Sequence, residues 1–310
     1  MADPQIIQVT TQEPPITVPD SYVPDKKRRG PSLFIRLLKN PWALVGLILV
    51  LASVTCALAA PYLAPFNPTE AALRSRLAPP VWIDSTSKYL LGGDQIGRDL
   101  LSRIIFGARI SLLVGICGVI LSLIIGVVVG LIAGYYGKWL DDVIMRIGDI
   151  QLAFPFILFA IVVMAVLGGG VFKIILILGL TYWVGYARLV RGQVMAIKEV
   201  EFIQAARATG STDFQIIVKH ILPNIASSIL VLSTLYVAEF ILLEASLTFL
   251  GLGVDPTIPS WGSMLADSRN YISTAWWVAT FPGIAIMLTV LGFNLLGDWL
   301  RDELDPNLKL

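Results

Sequence analysis

Residues 110–133 and 150–172 hold no charged side chain at all. A bilayer core about 30 Å thick takes about 20 mainly apolar residues to cross as a helix, which satisfies every backbone N–H and C=O within the segment. Runs of this kind leave the chain few alternatives to lipid. Four more runs follow with unequal quality: 42–64; 174–187; 225–250, which holds Glu239 and Glu244; and the uncharged 271–296. The run 174–187 is short, but Lys173 and Arg188 flank it with side chains long enough to reach the two interfaces. The chain has 310 residues, 56% of them hydrophobic and 15% charged, with a mean hydropathy of +0.76. The expected fold is an all-α polytopic membrane protein with six transmembrane helices. Tyr135, Tyr136 and Trp139, then Trp261, Trp276 and Trp277, fall where membrane interfaces are expected.

Basic residues set the orientation. Lys26, Lys27, Arg28, Arg29, Arg36 and Lys39 precede the first run, so the N-terminus is expected in the cytoplasm, and six crossings return the C-terminus there. The expected division is a cytoplasmic tail 1–40, a first transmembrane helix 41–64, and an extracytoplasmic loop 65–108. A five-helix core 109–300 with a cytoplasmic loop at about 195–223 follows, and then a cytoplasmic tail 301–310. Arg188, Arg191, Lys198, Arg207 and Lys219 then lie inside, as the rule demands. Arg74, Arg76, Lys88, Arg98 and Arg103 lie outside, partly balanced by Glu70, Asp84, Asp94 and Asp99. Residues 1–24, with Pro14, Pro15, Pro19 and Pro24, read as a disordered tail. Lys26 to Arg29, an apolar run and Ala57-Leu58-Ala59 imitate a cleaved signal peptide. The stretch before that run is about forty residues long, however, against about 15–30 for a whole signal peptide, so no cleavage is expected.

Several chemistries lack their residues. A net charge of +1 provides no basic excess for nucleic acid. Cys56 and Cys117 both sit in apolar runs and read as small hydrophobes, and the single histidine, His220, cannot assemble a histidine metal site. The sequence contains no G-x-x-x-x-G-K-[ST], G-x-S-x-G or H-E-x-x-H, so neither a catalytic centre nor a bound cofactor is expected.

One polar stretch, QAARATGSTDFQIIVKHILPN at 204–224, separates two apolar runs. Residues 197–209 are helix-compatible, and Gly210 stands where a helix ends in left-handed backbone. Thr212-x-x-Gln215 has capping-box spacing, with Asp213 in the first turn, where the helix dipole favours a negative charge. Phe214, Ile217, Val218 and Ile221 follow at helical spacing as one apolar face. Lys219 and His220 suit the last turn, and Pro223 is expected to stop the helix. The residues alone leave two readings open: an interfacial amphipathic helix, or a docking site whose small Ala205, Ala206, Ala208 and Gly210 admit a partner's backbone.

Gln204-Ala205-Ala206, Gly210 and His220-Ile221-Leu222-Pro223 resemble the "EAA" loop of permease subunits of binding-protein-dependent ABC importers. Segments 91–115, 244–265 and 281–309 resemble one branch of that superfamily, the second permease subunit of dipeptide, oligopeptide, nickel and glutathione importers. The resemblance covers about residues 31–309 and departs from the family at Gln204, where Glu is usual, and at Trp299, where Gly is usual.

The resemblance implies a type I ABC importer permease fold in a prokaryotic plasma membrane. It implies a coupling helix, with Gln204, Ala205, Ala206, Gly210, Thr212, Asp213, Phe214, His220, Leu222 and Pro223 forming the ATPase-coupling loop. Its implied partners are a homologous second permease, two ATPase subunits holding ATP and magnesium, and an extracytoplasmic solute-binding protein. Peptides are the leading cargo, with nickel complexes and glutathione as alternatives. The rival class is a self-contained secondary transporter, whose internal repeats are not evident in this sequence.

Two charged sets complete the expectations. Glu239 and Glu244, costly against lipid, should face protein or water, Glu239 at the pathway and Glu244 against the partner or substrate. Asp94, Arg98, Asp99 and Arg103 are spaced like a charge-paired amphipathic helix, a structural outer cap.

Overall fold

The computed structural model describes residues 33–255 and 257–304. The basic cluster Lys26 to Arg29, the tail 1–24 and the end of the C-terminal tail lie outside the described residues.

A short helix α1, Leu33–Lys39, leads into α2, Pro41–Leu58, capped by Asn40, whose side chain accepts from the Trp42 and Ala43 amides. The expected first crossing then breaks at Ala59 into a single turn, α3, Ala60–Leu63. Asp99 caps α4, Leu100–Tyr136, accepting at 2.8 Å from the Ser102 amide. At 37 residues α4 is about 55 Å long, well beyond the expected 110–133. It absorbs the last part of the expected outer loop.

The third crossing corrects the sequence expectation most. In place of one helix over 150–172 there are two, α5 at Lys138–Leu152 and α6 at Phe156–Leu167, bent by 82°. Pro155 causes the break, because it has no N–H to donate and it pushes Phe154 out of helical backbone. The fourth crossing, expected as the short run 174–187, is the 27-residue α7, Val171–Ile197. Its extra turns carry charges that are paired with the neighbouring helix. Arg188 donates to Asp149 at 2.6 Å, and Arg191 grips Asp141 through two donors, one at 2.6 Å. Both aspartates belong to α5.

Helix α8, Glu201–Ala208, and the single turn α9, Asp213–Gln215, lead through a π-helical turn, Ile216–Ile221, into α10, Leu222–Phe249. A capping box on Ser260 opens α11, Trp261–Ser268, and the last crossing is α12, Trp277–Leu304, later than the expected 271–296. Five helices of the described residues are long and apolar enough to cross a membrane, six when the bent pair counts as one.

Parallel α4 and α7 make the most intimate seam in the molecule, residues 126, 130 and 134 of one meeting 183–186, 187–190 and 191–194 of the other in the same order. Within lipid no hydrophobic force drives helices together, so close backbone approach at small residues does. Gly126, Gly130 and Gly134 supply it at four-residue intervals. A Cβ on Gly126 would stand 2.4 Å from the Trp183 carbonyl oxygen, and one on Gly130 2.7 Å from that of Ala187.

Asp94, Arg98, Asp99 and Arg103 do not form the expected surface helix. Asp94 and Arg98 lie in a turn, only Arg103 is helical, and all four are buried. Arg98 Nε binds Asp94 at 2.5 Å, and Asp267 of α11 joins at 3.3 Å from Arg98 Nη2 and 3.7 Å from Arg103 Nη2. Arg103 is held by charge rather than by directed hydrogen bonds, since its three guanidinium nitrogens have none. Two of the arginines that strained the positive-inside count are thus neutralised internally.

Candidate functional site

The polar stretch between α7 and α10 is ordered throughout. Helix α8 buries Ile203 completely while Gln204, Ala205 and Ala208 are exposed and Ala206 half-buried. Gly210 ends it at φ +86°, and a Cβ there would meet nothing within 4 Å, so backbone conformation alone selects glycine. The capping box is formed in full: Thr212 Oγ1 accepts from the Gln215 amide at 3.4 Å, and Gln215 Oε1 accepts from the Thr212 amide at 3.1 Å.

Beyond the cap the helical period changes. In the π turn the Leu222 N–H donates to the Ile217 carbonyl, five residues back, where an α-helix would reach four. Isoleucines 216, 221, 225 and 229 are therefore all buried, at spacings of five, four and four. This corrects the expected face. Ile221 is buried as expected, but Phe214 is 74% exposed and Val218 is 41% exposed. An α-helical count cannot anticipate a turn that is one residue wider.

Pro223 does not stop a helix either, because it stands in the first turn of α10, where a missing N–H is tolerated. Nearby, Asn224 Nδ2 donates to the His220 carbonyl at 2.6 Å.

The loop is bolted to the ends of two long helices. Ile203, Ile216, Ile221 and Ile225 share one core with Val127, Leu131 and Tyr135 of α4 and with Tyr186, Val190 and Val194 of α7. Outside the bilayer each fully buried isoleucine contributes about 1.5–3 kcal/mol relative to exposure. The Tyr135 hydroxyl joins both halves of the loop, donating to Asp213 Oδ1 at 2.6 Å and accepting from Arg207 Nη2 at 3.3 Å. Lys198 Nζ donates to the Gly134 carbonyl at 3.1 Å. Such a unit can pass a push from its exposed face into α4, α7 and α10.

Comparison with known proteins identifies the family of this architecture. The family described as "Binding-protein-dependent transport system inner membrane component" matches residues 126–310. The chain belongs to that family. A second match, "N-terminal TM domain of oligopeptide transport permease C", covers residues 32–80. The permease is 44% identical over 271 residues to the di/tripeptide transport system permease protein DppC of Pseudomonas aeruginosa, covering 87% of this chain and 89% of that one. It is 45% identical over 276 residues to the dipeptide transport system permease protein DppC of Alkalihalophilus pseudofirmus, 89% of each chain. The glutathione transport system permease protein GsiD of Pectobacterium atrosepticum is 42% identical over 287 residues, 92% of this chain and 94% of that one. With its apolar crossings, it is a multi-pass bacterial inner-membrane protein.

The departures from the family pattern have defined places in this permease. Gln204 Nε2 donates at 3.1 Å to the Glu199 carbonyl, closing the entry to α8, a bond that a carboxylate could not donate. Trp299 is buried. Of the remaining loop residues, His220 is half-buried against the Phe202 ring, and Leu222 packs at the edge of the isoleucine core.

The two glutamates part company. Glu239 is half-buried and accepts from the Tyr182 hydroxyl at 2.7 Å. Glu244 is 0% exposed, enclosed within the chain itself, where Ser111 Oγ donates at 2.9 Å and Thr248 Oγ1 at 3.0 Å. Its expected role against a partner or substrate is corrected: it joins α4 to α10, beyond the reach of either. Tyr135 and the glycine seam were not anticipated from sequence, although glycine at 126, 130 and 134 is a readable signal for close helix contact. The Asp141–Arg191 and Asp149–Arg188 pairs, distant in sequence, leave no such signal.

Proposed function

We propose that this permease forms half of the translocation pathway of an ATP-driven peptide importer, with di- or tripeptides as cargo. Support for peptides comes from the relatives at 44% and 45% identity, both named for short-peptide transport. The glutathione relative, at 42%, keeps that cargo, itself a tripeptide, as the second reading; nickel complexes have no such support among these three. In this reading the chain pairs with a homologous second permease, two ATPase subunits bind below the pair, one of them docking on the loop 195–223, and a solute-binding protein delivers cargo from outside. Both termini lie in the cytoplasm.

The observation that carries the reading is the rigid loop. Its exposed face is Gln204, Ala205, Ala208 and Phe214, while its buried face is continuous with three long helices. An ATPase that moves this face moves the pathway. Nucleotide shifts the inward- and outward-open populations only by binding one state more tightly, so the contact must transmit that difference. The chain itself binds no cofactor in this proposal; ATP and magnesium belong to the partner subunits.

Two measurements test it. Reconstituted with its partners, the permease should support uptake of a labelled dipeptide only with both binding protein and ATP, while the purified chain alone hydrolyses none; uptake without ATP would overturn the coupled reading. A reporter fused after Leu310 should read out in the cytoplasm, and an external signal would refute the stated orientation.

A further inference from the structure

A carboxylate, a broken helix and a set of aromatic rings meet inside the membrane. Glu239 stands ten residues before the outer end of α10 at Phe249, about 15 Å deep at 1.5 Å per residue. That is close to the middle of a bilayer core about 30 Å thick. It accepts a hydrogen bond from the Tyr182 hydroxyl, and no lysine or arginine of the described residues forms an ion pair with it. Glu239 is also only half-buried. A carboxylate at that depth facing lipid would be severely penalised, so its open side faces water or protein.

The bend between α5 and α6 lies next to it. Ala153, Phe154 and Pro155 interrupt the helix and are all exposed. Irregular backbone at membrane depth is tolerated only where protein buries it or where it lines a water-filled cavity, and interrupted crossings of this kind line the pathways of transporters. The first residue after the break, Phe156, packs edge-on against Tyr182 with ring centroids 5.5 Å apart. Tyr182 meets Tyr236 at 5.3 Å and Phe240 at 4.8 Å. The carboxylate, the break and the π-faces are thus one constellation, joined through Tyr182.

We infer that Glu239, framed by Tyr182 and Tyr236 beside the break at 153–155, is a midmembrane subsite for a cationic amine, the α-ammonium of a passing peptide. This rests on the peptide-importer reading above. The chemistry follows from what such a peptide carries. Its ammonium loses hydration on entering the pathway, and an unpaired carboxylate compensates with a charge-assisted hydrogen bond. Aromatic faces add cation–π attraction. Binding is kept from being a trap because Tyr182 already occupies one carboxylate oxygen and can take back its hydrogen bond as the amine leaves.

The test uses the assembled importer with dialanine as probe. Glu239→Gln removes the charge at constant shape and should lower dialanine uptake about tenfold at concentrations below saturation, the scale of losing one charge-assisted contact. Glu239→Asp should retain most of the uptake. A second readout does not depend on transport. With Cys56 and Cys117 replaced by alanine, Glu239→Cys should react with a water-soluble methanethiosulfonate in at least one nucleotide state, and dialanine should slow the reaction. Unchanged uptake in Glu239→Gln, equal losses in the Gln and Asp variants, or a cysteine inert in every nucleotide state would each overturn the subsite. If the wild-type importer carries no dialanine while Glu239→Cys remains reactive, the peptide reading fails and the water-facing site stands without its assigned ligand.

Discussion

Gly126→Leu should strongly destabilise this permease and impair its assembly. The added side chain would have to occupy space already held by the Trp183 carbonyl and Tyr186 Cβ, both 2.4 Å from where its own Cβ would stand. Backbone cannot rotate out of the way as a flexible side chain can, so α4 and α7 must separate. The penalty should reach roughly 3 kcal/mol, the upper end for overpacking, and the separation also disturbs Gly130 and Gly134 further along the seam. The expected outcome is a sharp loss of protein recovered in detergent and a melting temperature lower by several degrees. Gly192→Ala on α7 is the matched control, because nothing lies within 4 Å of that Cβ position. It should be neutral or slightly stabilising. Equal stability of the Leu variant and wild type would show that the seam is not the structural spine.

Gly210→Val should leave the fold intact and uncouple transport from ATP hydrolysis. At φ +86° a β-branched residue is strained by about 1–2 kcal/mol. The strain falls on the hinge between α8 and the Thr212 cap, displacing the exposed face that the ATPase is proposed to grip. Uptake by the assembled importer should fall about tenfold or more for a shift of that size in the docked population. Gly210→Asn should recover most of the activity, since asparagine tolerates left-handed backbone. Ala206→Asp, which adds a charge on α8, should weaken co-purification of the ATPases. Full uptake and normal ATPase retention in both Gly210→Val and Ala206→Asp would remove the coupling role from this loop.

Much of this molecule was legible before any coordinates. The apolar runs announced a helical membrane protein because lipid offers the backbone no hydrogen-bond partners. The cap at Thr212, the left-handed end at Gly210 and the first-turn Asp213 were readable because caps are local: every partner lies within a few residues. Family membership was equally legible, since it is carried by segments in order along the chain.

Other features resisted reading because their cause lies elsewhere in the chain. The third crossing looked like one run because hydropathy does not register direction, although Pro155 marked where helical hydrogen bonding had to fail. The fourth looked short because Arg188 seemed to end it, with Arg191 beyond. Only α5, packed alongside, shows that Asp149 and Asp141 neutralise them. The face of residues 214–221 was misplaced by a single π turn, which no periodicity count contains, since it is the isoleucine core on α4 and α7 that stabilises the wider turn.

The two glutamates show the same division. Sequence alone placed both in one crossing and required that neither face lipid, a consequence of the energy of charge in hydrocarbon. It could not separate them. Tertiary structure sealed Glu244 between α4 and α10 behind hydroxyl groups, and left Glu239 open beside a broken helix, because five residues along a helix turn a side chain to a different neighbour. What the chain is made to live in follows from its composition along the sequence; where its polar groups can act depends on which helices close around them.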